Sequence, residues 1–212
     1  TRNATKRLTD DELCGKVIVA TAEAELPQLE ELYRRGNGNG LKGLRMLDPA
    51  AIREIEPYAA GIKGIWVPGT GIVDYGKVAE TYAALIVRGG GAIHLSCEVT
   101  ALKHRGASTI VETVEGTIEA RWVINCAGLQ SDRVSRMAGA KLDLSIVPFR
   151  GEYYELAPEK HHMVKGLIYP VPDPRFPFLG VHFTRRIGGG VEAGPNAVLA
   201  LKREGYLKTS FN

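Results

Sequence analysis

With 212 residues, 44% of them hydrophobic and 24% charged, the chain can bury a sizeable core as one large domain or two small ones, and disordered, collagen-like and coiled-coil classes are excluded. Its 27 Lys and Arg are dispersed against 24 Asp and Glu, a net charge of +3 without the basic stripe that a phosphate backbone demands, so nucleic acid is not expected as a partner. Cys14, Cys97 and Cys126 are odd in number and far apart, which supports neither a disulfide framework nor a metal site, and no apolar run approaches the ~18 residues of a membrane span; a soluble, cytoplasmic chain is expected.

The first segment opens without Met and without an obvious element, which predicts a piece of a longer protein. Lys16 to Thr21 is a β-rich run. Pro27 then opens a helix whose Leu26, Leu29, Leu32 and Tyr33 share one face. A turn is expected over Gly36 to Gly40. Asp48-Pro49 supplies an N-cap and first-turn proline for a short helix ended by Pro57. Ile62 to Val67 reads as a strand. Asp74 caps the next helix, with Val78, Tyr82, Leu85 and Ile86 as its buried side, until the glycines at 89–91 stop it. From Ala92 the period changes to two: AIHL, EVTALKH, STIVETV and, after a Glu115-Gly116 turn, TIEARWVINCAG read as strands. SDRVSRMAG gives a short helix, and GEYYELA, GLIYPVP, FLGVHFT and GGVEAG read as further strands. The irregular alternation predicts an α+β fold with mixed sheets.

Four patterns bear on chemistry. GNGLKG, Gly38 to Gly43, has the G-x-G-x-x-G spacing but follows a helix instead of a strand, so it reads as a helix end and loop. WVINCAG, Trp122 to Gly128, is an apolar run ending in small residues that let backbone N–H groups meet an anion; an ordinary strand-to-helix turn has the same pattern. PFRGEYY with GVHFTRR sets Arg and His among apolar neighbours, as a cleft for an anionic substrate would require, while His182 reads equally as a core histidine. His161-His162, beside Glu159-Lys160, reads as a solvated loop.

The runs VPGTGIVDYGKVAE, WVINCAGLQSD, PFRGEYYELAPE, LIYPVPDPRFPFLGVHFTRR and VEAGPNAVLALKREGY resemble the L-2-hydroxyglutarate oxidase/dehydrogenase family, FAD enzymes of the D-amino-acid-oxidase superfamily. The resemblance covers nearly the whole chain, without the glycine-rich FAD fingerprint or the closing C-terminal segment of that family. It implies a mixed-sheet substrate domain in two parts, 1–70 and 141–212, around a partial FAD-binding segment, 71–140.

Residue by residue, the resemblance implies that Val99 contacts the adenine and that Cys126, Ala127 and Gly128, followed by Leu129 and Ser131, border the FAD pyrophosphate and ribose. Tyr169 and the GVHFT strand are implied to face the flavin, with His182 as the base for the substrate hydroxyl and Arg150 and Arg185 as carboxylate clamps. The implied reaction is hydride transfer from C2 of L-2-hydroxyglutarate to flavin, giving 2-oxoglutarate. A quinone acceptor would place the protein at a membrane periphery. Two alternatives stand beside it: a sister oxidoreductase for an amine or a glycerol phosphate, and a non-catalytic binding domain. By itself the chain is expected not to retain FAD, not to turn over substrate, and to self-associate through uncovered apolar surface.

Overall fold

The computed structural model describes residues 11–176 and 178–211. They form two compact units, one built from the chain up to Leu85 together with Gly151–Ala197, the other from Ile86–Arg150 and Val198–Asn212.

The first unit is organised by a seven-stranded mixed sheet of order β3-β4-β2-β10-β11-β12-β9, where β2 is Lys16–Ala20, β3 Arg45–Leu47, β4 Lys63–Val67, β9 Phe149–Glu155, β10 Leu167–Pro170, β11 His182–Arg185 and β12 Val191–Leu199. Strand β10 runs parallel to β2 and antiparallel to β11. A two-stranded pair, β1 (Asp11–Glu12) with β5 (Ile72–Val73), completes the strands of this unit.

The alternation of β2 explains how two helices cover one sheet. Val17 and Val19 point to one face and pack with Leu47 and with Ile52 of α2 (Pro49–Ile55). Ile18 and Ala20 point to the other, where Leu29 of α1 (Leu26–Gly38) is fully buried, with Leu26, Leu32 and Tyr33 around it. Each fully buried aliphatic side chain of this kind contributes roughly 1.5–3 kcal/mol. The Asp48 side chain accepts from the backbone N–H of Ala51 at 2.8 Å, the cap expected for α2. Helix α1 outruns the turn expected at Gly36: Asn39 N–H still bonds the Arg35 carbonyl at 2.8 Å, and the break comes at Gly40, where φ is +74°.

Asp74 caps α3 (Tyr75–Arg88), accepting from Gly76 N–H at 2.8 Å. The face expected to be buried is not: α3 has no buried residue, and Tyr82 is 63% exposed. Of the four residues expected on that side, only Val78 is part-buried.

The second unit carries an antiparallel meander, β6 (Val99–Arg105), β7 (Ser108–Thr113) and β8 (Gly116–Ala120), and the helix α4 (Ser131–Met137). One expected strand is absent and another is cut short. AIHL, at 92–95, has no ladder, and TIEARWVINCAG is a strand only as far as Ala120. A strand exists only through a neighbour that accepts its backbone bonds, and none of the described strands flanks Trp122 to Ile124, whose Trp122 is 86% exposed. No described helix is long and apolar enough to cross a membrane.

Candidate functional site

In the first unit, register brings two of the expected residues, Tyr169 and His182, close together. Leu167 pairs with Lys16 of β2 and with Thr184 of β11, and His182 pairs with Gly194 of β12. Directly paired residues share a face, so Lys16, Tyr169 and His182 stand on the same face as Ile18 and Ala20. The Tyr169 and His182 rings stack with centroids 4.1 Å apart at 19°. On the next strand a side chain would intrude: a Cβ on Gly194 would lie 2.7 Å from the Tyr153 ring and 2.8 Å from the Glu152 carbonyl oxygen. Glycine lets Tyr153 approach, and burial, with the Glu192 charge second, pushes the Tyr153 phenol pKa up.

His182 is 9% exposed, and its Nδ1 lies 3.0 Å from the Gly180 carbonyl oxygen. A carbonyl only accepts, so Nδ1 carries the proton of the neutral ring and Nε2 keeps its lone pair. That is the tautomer a general base at Nε2 requires.

Beside this stack lies a cleft of about 480 Å³ lined by the turn from Gly71 to Tyr75, by Leu167 and Tyr169, and by Thr184 to Ile187. Arg185 is at its wall, with its guanidinium paired to Glu12 of β1. Arg186 is paired with Glu192 at 3.3 Å. Arg150 lies in β9, at the boundary between the two units, and donates to the Leu207 carbonyl at 3.1 Å.

The second unit has a cleft of about 540 Å³ whose lining includes Val99, Cys126 and Ala127, with Leu102, Asn125 and Arg133. Gly128 follows with φ +53° and open space where a Cβ would stand, and Leu129 continues the short turn into α4 at Ser131. Sequence reasoning passed over the residue that shapes this loop. Asn125 donates to the Ser131 carbonyl at 2.8 Å and to Ser135 Oγ at 3.0 Å, and accepts from Ala127 N–H at 3.1 Å. An Asn two residues before a small-residue turn was the available signal.

A second anchor had no local signal. The buried Asp132 carboxylate accepts from Arg203 at 2.6 and 3.1 Å, from Arg136 at 3.2 Å and from Ile146 N–H at 3.2 Å, while Arg203 also donates to the Leu129 carbonyl. These bonds, led by Arg203, hold the Asp132 carboxyl far below the usual carboxylate range.

The sequence matches the family described as FAD dependent oxidoreductase over residues 4–209. The chain belongs to that family. A curated L-2-hydroxyglutarate dehydrogenase of Indibacter alkaliphilus is 52% identical over 95% of this chain and 51% of its own length. The mitochondrial L-2-hydroxyglutarate dehydrogenase of Homo sapiens is 46% identical over 94% of this chain and 46% of its own length. The chain thus spans about half the length of the curated relatives it matches. Among solved structures, L-alpha-glycerophosphate oxidase from Mycoplasma pneumoniae superposes with a TM-score of 0.86 at 23% identity, covering 98% of this chain and 56% of that one, which establishes the shared fold.

Membership of an FAD dependent family poses a test for the second cleft. Its apolar wall of Val99 and Leu102 suits a flat ring, and the Ala127-Gly128 turn puts no bulky side chain in the way, so the residues present fit part of a nucleotide cofactor. The expected cytoplasmic location is overturned by the human relative and by those of Nematostella vectensis, Bos taurus and Mus musculus, all mitochondrial by name. The expectation rested on cysteine usage and on the lack of a long apolar run, which report a redox environment and the absence of a spanning helix but not an address.

Proposed function

We propose that this chain supplies the substrate-binding sheet and part of the cofactor wall of an enzyme that oxidises L-2-hydroxyglutarate to 2-oxoglutarate. The observation that carries this is 52% identity with an L-2-hydroxyglutarate dehydrogenase across 95% of the chain. In this reading the first unit is the substrate unit and the second the cofactor side.

His182 takes the hydroxyl proton at Nε2, the nitrogen left open by the Nδ1 contact with Gly180. Burial beside Tyr169 fixes its ring plane, so the proton acceptor is oriented before substrate arrives. Arg185 offers a guanidinium to the carboxylate next to the reacting carbon, in exchange for part of its contact with Glu12. Val99, Cys126, Ala127, Gly128 and Leu129 hold FAD, which when bound supplies the electron-pair acceptor.

The test is steady-state turnover by the full-length reading frame loaded with FAD. L-2-hydroxyglutarate should be preferred over its D enantiomer, glycine, sarcosine and glycerol 3-phosphate, with 2-oxoglutarate as product. Equal or faster turnover of an amine or of glycerol 3-phosphate overturns the assignment.

A further inference from the structure

A 2-hydroxydicarboxylate has a second carboxylate, at the end remote from the hydroxyl, and the cations considered so far do not answer it. Arg185 is paired with Glu12, Arg186 with Glu192, and Arg150 donates to the Leu207 carbonyl. One ammonium on the sheet face is differently placed. Lys16 of β2 has its Nζ 5.1 Å from the centroid of the Tyr169 ring, is half-buried, and has no carboxylate within ion-pair distance among the described residues.

Strand order fixes its relation to His182. Because β10 lies between β2 and β11, Lys16 and His182 flank Tyr169 from opposite sides, one 5.1 Å and the other 4.1 Å from its ring centroid. A proton acceptor and a cation are therefore set on the two sides of a single aromatic ring, on one face of one sheet.

Burial without a counter-ion pushes the Lys16 pKa down. A partly desolvated ammonium is costly, and the π-face of Tyr169 offsets only part of that cost. A carboxylate arriving at Nζ would complete it. Lys is suited to this end of the molecule, because a flexible stem carrying a point charge can follow a flexible methylene chain, whereas the bidentate geometry of Arg suits the fixed carboxylate beside the reacting carbon.

We infer that Lys16 binds the distal carboxylate of the substrate and thereby sets the preference for 2-hydroxydicarboxylates over 2-hydroxymonocarboxylates of the same chain length. This rests on the function proposed above. Lys16 selects among hydroxy acids while His182 performs proton transfer on any of them, so the two residues separate KM from kcat.

The experiment compares L-2-hydroxyglutarate with L-2-hydroxypentanoate in the FAD-loaded, full-length reading frame. Lys16→Met should lower kcat/KM for the dicarboxylate on the order of 10- to 100-fold, the worth of one charge-assisted hydrogen bond, mainly through KM. The monocarboxylate should change little, and Lys16→Arg should keep most of the preference. The ratio is measured within one preparation, so a misfolded fraction lowers both rates together and does not alter it. Calorimetric binding of 2-oxoglutarate against 2-oxopentanoate should show the same loss without turnover. If the wild type prefers L-2-hydroxyglutarate and Lys16→Met keeps the dicarboxylate-to-monocarboxylate ratio within about twofold, the role of Lys16 is overturned. If the wild type shows no such preference, it is the proposed function that fails.

Discussion

Glu56 is 1% exposed, and its carboxylate accepts from Lys165 N–H at 2.9 Å and from Gly166 N–H at 2.7 Å. Those two amides lead directly into β10, and Tyr169 stands three residues further on. Glu56→Ala removes both acceptors and leaves two backbone donors facing a void. A hydrogen bond to a charged group contributes about 1.5–3 kcal/mol, so the pair sets an upper range of about 3–6 kcal/mol. Water entering the vacated space recovers part of this, and about 3–4 kcal/mol is the expected loss. Glu56→Gln keeps the shape and one oxygen but turns an N–H donor toward a backbone N–H, so roughly half the loss is expected. Against a usual total of 5–15 kcal/mol, the alanine variant is severely weakened. The assay follows from where the tryptophans lie: Trp66 is half-buried in β4 of the first unit, and Trp122 is exposed in the second. In a Trp122→Phe background, urea unfolding followed by fluorescence reports the first unit alone. A Glu56→Ala midpoint equivalent to a loss below about 0.5 kcal/mol, the scale of a surface substitution, would refute the claim that this carboxylate holds the entry to β10.

His182→Gln in the FAD-loaded full-length reading frame should lower kcat by about 10²–10⁴-fold with flavin content unchanged, and near-wild-type kcat across the pH range would place the base elsewhere. Asp132 has a folded-state pKa depressed chiefly by Arg203, so its contribution to stability is present above the unfolded value of about 3.9 and is lost as pH falls through and below it; circular dichroism between about pH 5 and about pH 2 should show an acid transition of the second unit that Asp132→Asn makes shallower, and identical acid limbs would refute the linkage. Burial lowers the Lys16 pKa, so stability should rise with pH between its folded value and the unfolded value of about 10.4, and Lys16→Met should be at least as stable as wild type near neutrality; a lower thermal midpoint would mean that the ammonium is a structural prop. The 212-residue chain alone should purify without a flavin band and should self-associate through apolar side chains such as Trp122 and Ile124, so a band near stoichiometric occupancy or a strictly monomeric elution would count against those two expectations respectively.

What the sequence made legible follows the range of each interaction. The helix caps at Asp48 and Asp74, the apolar face of α1 and the β-rich run of β2 depend on neighbours within a few residues, and all are read from local sequence. The meander from β6 to β8 depends only on local turns and is equally legible. WVINCAG fails because a β-period is necessary for a strand but a partner is what makes one, and the same holds for the apolar stripe of α3. In the candidate site, Arg and His among apolar residues stand out along the chain, whereas Tyr169 and the separate roles of His182 and Arg185 come from the family resemblance. Lys16 was not, since a lysine opening a β-run is unremarkable until register sets it beside a residue 153 positions away. Glu56 and Arg203 were invisible for the same reason: their partners are 109, 110 and 71 residues distant. A buried charge is tolerable only where its partners converge, and convergence is a property of the folded topology. The charged residues that escaped the sequence are therefore the ones whose charge the fold itself must satisfy, and of these Lys16 alone has a side chain without a carboxylate or hydrogen-bond partner among the described residues.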